Sequence, residues 1–347
     1  MNQLIVLSNV AAARHRGLLV RGYLDFPIHR PSSSELLFRS CRFAVAALRT
    51  LQLFLVLLGF SGMETGRAAT MQVVCTTSMV ADLVREIGGR QVRVTALMGP
   101  GVDPHLYKAS ASDITKLQAA DMVFFSGLML EGKMQDLFTR LGKAGRSVTA
   151  VTESIPRSRL LTPAGFDGHP DPHVWFDVKL WQLCAATVQA ALTRADPSSA
   201  NNFSDNHKRW MARMEALHSW VQGKVAELPV EKRILVTSHD AYNYFGRAYS
   251  FQVIGLQGIS TVTEAGLADM TRLVDFILKH RIKAVFVESS VPRQTIDRIS
   301  RDAGVKVGGE IFSDAMGTPG QMENGEDLGT YEGMIKHNVT TIVEALK

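Results

Sequence analysis

The tripeptide Asp-Pro-His occurs twice in this chain, and the copies end in His105 and His173. Proline fixes its own φ and pushes the residue before it to an extended conformation, so each histidine is presented from a stiff corner rather than from a helix. An imidazole that binds a metal ion has to be held in one orientation, at about 2.0–2.1 Å from a zinc ion. The repeated corner therefore indicates two metal ligands, although either copy alone could equally be an ordinary turn.

Two candidates in the second half of the chain could complete such a site. His239 follows a predicted strand over 234–237, and Asp314 lies in the loop after a predicted strand over 305–307, where Glu310 is a rival ligand. Each has a structural alternative, because histidine can occupy a helix start and aspartate can cap a helix. Each Asp-Pro-His corner is likewise predicted on a loop after a strand of the first half. The carboxyl ends of parallel strands share one rim, so we expect all four candidates to meet there. Three imidazoles and one carboxylate suit zinc, and also manganese or iron.

Neighbouring polar and aromatic residues are assigned supporting roles. We expect Asp103 and Asp171 to hold the loop backbone through Asx-type hydrogen bonds rather than to bind the ion. His169, beside the second corner, is interpreted as a loop residue. The histidines of the predicted helices are interpreted as structural or solvated: His207, His218, His280 and His337. The aromatic residues expected to wall the site are Trp175, Tyr242, Tyr244, Phe245 and Phe312.

Short apolar runs alternate with segments of helical spacing from residue 71 onward. Strands are predicted over 71–75, 92–97, 122–125 and 148–151, with helices over 79–87, 111–119 and 133–141 between them. A second set has strands over 234–237, 252–256, 284–288 and 305–307, and helices over 265–280, 294–303 and 331–346. This alternation predicts an α/β fold of two tandem lobes, each a parallel sheet with helices on both faces.

One long helix is predicted between the two sets. Residues 197–229 open with Pro-Ser-Ser, carry apolar residues at helical spacing and close at Pro229. A helix of roughly 30 residues is about 45 Å long at 1.5 Å per residue. We therefore predict a leader over 1–69, an N-terminal lobe over 70–196, a rigid connector over 197–229 and a C-terminal lobe over 230–347. The metal site is expected in the cleft between the lobes.

The positive net charge belongs to the leader. The chain carries a net charge of +5, and residues 1–69 account for all of it, with eight arginines against Asp25, Glu35 and Glu64. The neutral remainder gives no electrostatic basis for binding nucleic acid. An apolar run over 51–60 follows three arginines and precedes Ala68 and Ala69, which is the order of an export signal, and the run is too short to span a bilayer. A mitochondrial transit peptide is the alternative, and residues 1–38 exceed what a signal needs.

Cysteine usage favours a protein without a disulfide framework. Cys41, Cys75 and Cys184 are too few to form one, and we interpret the last two as small buried hydrophobic residues. Cys41 lacks the preceding apolar and small residues of a lipoprotein signal. We expect a soluble, secreted, non-lipidated monomer.

Several stretches of the sequence resemble the zinc- and manganese-binding solute-binding proteins of ABC importers, the cluster A-I family, and most of all its TroA member. These stretches lie at 98–107, 171–181, 236–245, 255–260, 287–290 and 308–317. The resemblance covers residues 71–347 and implies a periplasmic receptor that clamps one divalent transition metal ion and delivers it to a permease in the inner membrane. The ligand positions of the family fall on His105, His173, His239 and Asp314. Some members carry glutamate where this chain has His239, and the histidine-rich loop of dedicated zinc scavengers is absent, so zinc is favoured and manganese stays open.

Metal capture without catalysis is the function that these features favour. Four protein ligands fill a tetrahedral shell and leave no position for an activated water. The alternative is a secreted metal-dependent hydrolase with His239 as general base, but the sequence has no His-Glu-x-x-His motif to support it. A role in cell adhesion has no support in the sequence beyond the predicted export signal.

Overall fold

Two arrays of parallel strands organise residues 70–347, which, with the isolated Pro27, are the residues that this computed structural model describes. The predicted leader and export signal at 1–69 therefore lie outside the described residues. The first array has the order β2-β1-β3-β4, and all of its pairings are parallel. Its strands are β1 (Met71–Cys75), β2 (Val92–Ala96), β3 (Met122–Phe125) and β4 (Ser147–Ala150).

The second array repeats this arrangement. β5 pairs with β6 and β7 pairs with β8, both in parallel, and β5 lies beside β7, so the order β6-β5-β7-β8 matches that of the first array. The tandem α/β fold is thus confirmed. The strands are β5 (Ile234–His239), β6 (Gln252–Gln257), β7 (Ala284–Glu288) and β8 (Lys306–Ile311), followed by a short antiparallel hairpin of β9 (Met322–Glu323) and β10 (Glu326–Asp327).

Nine helices of the described part surround these strands. They are α1 (Ser78–Gly88), α2 (Ala111–Ala119), α3 (Gln135–Lys143), α4 (Val178–Ala195), α5 (Ala200–Ala226), α6 (Asn243–Tyr249), α7 (Leu267–His280), α8 (Gln294–Ala303) and α9 (Tyr331–Leu346). Local signals fix several starts: Thr77 caps α1, Ser110 and Asp113 form a capping box on α2, and Asp177 caps α4. Within residues 70–347, none of the helices combines the length and the apolar character needed to cross a bilayer.

Helix α5 is the predicted connector, and it spans 27 residues, or about 40 Å. Ser199 is its N-cap residue, so the helix begins three residues after the predicted position. Pro197–Ser199 forms a separate 3-10 turn, and the Asp196 carboxylate accepts from the backbone N–H groups of Ser198 and Ser199. The buried stripe of the helix consists of Phe203, Trp210, Met214, Leu217, Val221 and Val225. This stripe packs against α1, α4 and α9, so the connector is fixed along one face.

The structure corrects two boundaries near the predicted ligands. β8 continues to Ile311 instead of ending at Val307. The glycine that suggested an earlier end is needed for the close packing of α9 on the strand, since a Cβ at Gly308 would lie 2.7 Å from the Ala345 Cβ. The second Asp-Pro-His corner does not directly follow a strand. β4 ends at Ala150, and the corner is held instead by α6, whose Tyr244 hydroxyl donates to the Asp171 carbonyl at 2.9 Å.

Cys75 and Cys184 are buried and free. Burial raises the pKa of both thiols above the usual range, which keeps them protonated and unreactive. Their interpretation as small hydrophobic residues is consistent with this environment.

Candidate metal centre

The structure brings the four predicted ligands together. One nitrogen or oxygen atom from each of His105, His173, His239 and Asp314 lies within 4.8 Å of the others. All four side chains are buried, with exposed fractions of 3% for His105, 0% for His173 and His239 and 1% for Asp314. Asp314 lies between two of the imidazoles, with Oδ1 at 3.3 Å from Nε2 of His173 and Oδ2 at 3.3 Å from Nε2 of His239. Nε2 of His105 lies 3.3 Å from Nε2 of His173. Such a cluster has the donor set and the spacing to surround one cation.

Both proline corners use the same hydrogen bond to present their histidine. Asp103 Oδ1 accepts from the backbone N–H of His105 at 2.8 Å, and Asp171 Oδ1 accepts from that of His173 at 2.9 Å. These are the Asx-type bonds expected from the sequence. The duplicated tripeptide is therefore a duplicated local structure.

Carboxylates also orient two of the imidazole rings. Nδ1 of His173 lies 2.8 Å from Asp171 Oδ1. Nδ1 of His239 lies 2.6 Å from Glu288 Oε2, a distance typical of an ion pair although the atoms are not aligned for a hydrogen bond, and Glu288 Oε1 accepts from the His239 backbone N–H at 2.9 Å. A carboxylate on Nδ1 directs Nε2 toward the ion. Sequence reasoning gave Glu288 no role; the available signal was its place at the end of β7.

Asp314 is the group that most clearly requires a cation. Neither of its carboxylate oxygens has a hydrogen-bond partner among the described residues, and both are buried. Its loop is rigidly held, because Trp175 Nε1 donates to the Ser313 carbonyl at 3.1 Å and the Tyr242 hydroxyl donates to the Phe312 carbonyl at 2.7 Å. An ionised carboxylate buried in this way needs positive charge beside it, because the desolvation penalty of one buried ion is on the order of several kcal/mol. In the metal-free site the protonated rings of His173 and His239 supply that charge. The donor set therefore fits a bound metal cation.

The four side chains of the cluster differ in the direction in which their pKa values are shifted. Burial lowers the pKa of His105 to about 3. Burial also acts to lower the pKa of His173, but two neighbouring carboxylates outweigh it and raise that pKa to about 9. Against the same effect of burial, Glu288 and Asp314 raise the pKa of His239 well above its usual value. Burial acts to raise the pKa of Asp314, yet the charges of His239 and His173 hold it well below its usual value. The metal-free site thus pairs two imidazolium rings with an ionised carboxylate, and a metal ion has to displace their protons.

Other candidates lie away from this cluster. Glu310, the rival of Asp314, is exposed near the end of β8, and His169 is exposed on its loop. His337 contacts Glu323 at 2.8 Å on the surface. Of the aromatic residues, Trp175 lies against His173 with ring centroids 5.2 Å apart. Tyr242 supports the Asp314 loop as described, whereas Phe312 packs on His337 instead.

Two tandem α/β lobes on one long helix, with a buried cluster of nitrogen and oxygen donors between them, define a class of solute-binding proteins that hold a metal ion. Within this class the chain belongs to the family "Zinc-uptake complex component A periplasmic" (ZnuA), whose model matches residues 73–345.

Individual relatives are similar over most of their length. The chain is 47% identical to "Manganese-binding lipoprotein MntA" of Bacillus subtilis over 282 residues, which cover 80% of this chain and 90% of that protein. It is 44% identical to "Zinc-binding protein TroA" of Treponema pallidum over 279 residues, 79% of this chain and 88% of that protein. The solved structure of periplasmic zinc-binding TroA from Treponema pallidum superimposes with a TM-score of 0.76 at 42% identity, and covers 80% of this chain and 99% of that one.

Proposed function

We propose that this protein captures one divalent transition metal ion and delivers it to an ABC permease. The ligands are His105, His173, His239 and Asp314. The observation that carries the proposal is the convergence of their four donor atoms within 4.8 Å in a buried site. Membership of the family and the names of its relatives support the transport role.

Capture without catalysis fits the number of ligands. Four protein donors complete a tetrahedral shell, whereas a hydrolytic metal site keeps one position open for water. The Nε2 atoms of His173 and His239 each lie 3.3 Å from an oxygen of Asp314, so both rings are placed as ligands inside the cluster. The hydrolase alternative, which needs His239 beside the metal ion as a general base, is therefore less well supported than metal capture.

Zinc is the ion that the donor set favours. Three imidazoles and one carboxylate make a nitrogen-rich set, and such sites bind zinc more tightly than manganese. Relatives carry the names of zinc-, manganese- and iron-binding proteins. The ion that binds most tightly in vitro is therefore a separate question from the ion that the protein carries in the cell. We propose zinc as the tighter ligand in vitro and manganese as the alternative cargo.

Metal titration of the purified protein tests the proposal. We expect native mass spectrometry and calorimetry to find one equivalent of zinc, with manganese binding more weakly to the same site. His105→Ala and Asp314→Ala should each lose most of the affinity. His169→Ala is the matched control, since its ring is exposed on a loop, and it should bind like the wild type. Two or more equivalents of equal affinity, or unchanged binding by the first two variants, would overturn the proposal.

The site of action follows from the predicted export signal. We propose that the protein works as a monomer in the periplasm, beside a permease of the inner membrane. Several relatives carry the name lipoprotein, and TroA is described as periplasmic, so attachment of a lipid is the feature to test. Intact mass of the exported protein should correspond to a chain that begins near Thr70 without a lipid. A mass increment on a cysteine would contradict this part of the proposal.

A further inference from the structure

A hydrogen bond crosses the cleft at its mouth. In the loop 258–266, which joins β6 to α7, the Thr261 hydroxyl donates to Asp103 Oδ2 at 2.6 Å. The other oxygen of the same carboxylate, Oδ1, accepts from the backbone N–H of His105 at 2.8 Å. Asp103 thus connects a loop of the second lobe directly to the backbone of a proposed metal ligand in the first.

The loop has few other attachments. Thr261 is 7% exposed, whereas its neighbour Val262 is 56% exposed. Among the hydrogen bonds of the described residues, the one from Thr261 is the bond that joins this loop to the first lobe. At one end of the loop the Gly258 carbonyl accepts from the Asp240 N–H at 3.2 Å, a bond within the second lobe. A surface cavity of about 440 Å³ beside the loop, lined by residues of both lobes, provides room for movement.

The opposite side of the metal centre is fastened much more firmly. Trp175 Nε1 donates to the Ser313 carbonyl at 3.1 Å, and the Met316 N–H donates to Ser78 Oγ at 2.9 Å. The Tyr331 hydroxyl donates to the Trp175 carbonyl at 2.6 Å. These bonds tie the loop of Asp314 and the start of α9 to the first lobe. Opening the cleft on this side breaks several buried bonds, and opening it at Thr261 breaks one.

From this asymmetry we infer that Thr261 retains the bound ion, which enters and leaves between the loop 258–266 and the His105 corner. Thr261 is a positioning residue: it acts through Asp103 and does not contact the ion. The inference rests on the proposed function, because it assigns the route by which the same site is filled and emptied. Breaking the bond between Thr261 and Asp103 precedes release of the ion.

Metal dissociation kinetics test this inference. Thr261→Val removes the hydroxyl and keeps nearly the same shape, and Thr261→Ser keeps a donor. The measured quantity is the rate constant of zinc release from the loaded full chain into excess chelator, followed by stopped flow. We expect Thr261→Val to release zinc at least about tenfold faster, as for the loss of a hydrogen bond to a charged group, and Thr261→Ser to stay within about threefold of the wild type.

Thr263→Val is the matched control, because Thr263 is exposed in the same loop and its change should leave release unaffected. Thr261→Val also removes this bond from the metal-free protein, so its melting temperature should fall slightly, whereas that of Thr263→Val should not change. Release is compared between variants that are fully folded at the temperature of the measurement, and Thr261→Ala replaces the valine variant if that one does not fold. If the hydroxyl-free variant releases zinc with a rate constant within twofold of the wild-type value, and the wild type binds one zinc, the inferred role of Thr261 is overturned and the proposed function stands. A wild type that binds no zinc would overturn both.

Discussion

The three histidines of the metal centre are not equivalent, because their rings lie in different electrostatic surroundings. Asp171 lies against Nδ1 of His173, and Glu288 lies against Nδ1 of His239. Burial dominates at His105 and lowers its pKa to about 3, so this ring is neutral and ready to bind at physiological pH. The other two rings hold protons that a metal ion must displace. Under the proposed function, His105 is a preformed ligand, and His173 and His239 become available when they lose their protons to the solvent.

Zinc binding should release protons near neutral pH. The pKa of His173 is raised to about 9 and that of His239 lies well above its usual value, so both rings are protonated at pH 7, while zinc binds only the neutral nitrogen. Affinity should consequently rise with pH and fall as the solution is acidified. We expect about one to two protons released per zinc at pH 7. Calorimetry in buffers of different ionisation enthalpy measures this number, and a value below half a proton would contradict the assignment.

The same pKa shifts predict how stability depends on pH. A histidine whose pKa is raised from about 6.5 on folding contributes stability that is fully present below pH 6.5 and is lost as the pH rises through the folded value. For His173 that loss extends to about pH 9. The melting temperature of the metal-free protein should therefore fall over this window, and the increment caused by zinc should widen.

Glu288→Gln tests the carboxylate behind His239. Glutamine has nearly the same shape and can still accept from the His239 backbone N–H, but it removes the negative charge beside Nδ1. We expect zinc affinity to fall about 10–100-fold, as for other changes behind a metal-binding histidine. Competition with a chelator of known affinity measures this loss. Glu310→Gln is the control, because that side chain is exposed, and it should bind zinc like the wild type.

The proposed ligands were accessible to sequence reasoning, and several of the residues that support them were not. His105 and His173 lie in a repeated tripeptide, and proline gives that tripeptide a definite local structure. Glu288 is 49 residues from His239 along the chain, and the two become neighbours only because β5 lies beside β7. Thr261 and Asp103 are likewise joined only by folding. Contacts of this kind leave no local pattern in the sequence.

At the scale of elements, β6 has to approach the end of β5 closely, and glycine permits this. A Cβ at Gly255 would lie 2.5 Å from the Asp240 backbone nitrogen and 2.6 Å from the His239 carbonyl carbon. Gly255→Ala should therefore displace the end of β5, cost about 1–3 kcal/mol of unfolding free energy and weaken zinc binding. Denaturant unfolding and zinc titration measure both effects.

Gly223→Ala is a control for which the expected change in unfolding free energy has the opposite sign. Gly223 lies within α5, and a Cβ there would meet no described atom within 4 Å. Alanine should stabilise the helix by roughly 0.5–1 kcal/mol, because it lowers the conformational entropy lost on folding. Stabilisation by both variants would show that Gly255 is not required for close packing.

Element types followed from hydrophobic periodicity, and the errors have particular causes. The strand before Asp314 was ended too early because Gly308 and Gly309 are poor strand residues, and the packing of α9 that requires glycine there is a tertiary contact. Ser199 holds the N-cap position of the connector, but its side chain makes no capping hydrogen bond, and the side-chain cap of this region is Asp196, which serves the separate 3-10 turn before the helix. Helix α9 agreed with its predicted limits, since its N-cap Thr330 directly precedes an apolar pattern of helical period.

At the scale of the whole molecule, the two lobes are joined by more than the connector. Arg213 on α5 donates to Glu86 of α1 at 2.8 Å, and it also forms an ion pair with Glu332 of α9 at 2.6 Å. Asp82 of α1 accepts from the Tyr331 N–H at 3.2 Å. Buried apolar residues from both halves of the described chain form one continuous core cluster. The division into lobes over 70–196 and 230–347 stays a prediction, and these contacts indicate that any such lobes move little.

Metal binding should accordingly change the overall shape only slightly. The stiff α5 helix, the Arg213 contacts and the bonds around Ser313 resist a wide hinge motion, and the inferred movement is confined to the loop 258–266. Small-angle X-ray scattering should find the same radius of gyration for the metal-free and the zinc-loaded protein, because the expected movements are local shifts of about 1–2 Å. The His105→Ala variant with added zinc is the control and should show no change. A measurable contraction of the wild type on zinc binding would indicate hinge closure of whole lobes, and the fastened side around Asp314 would then have to open as well.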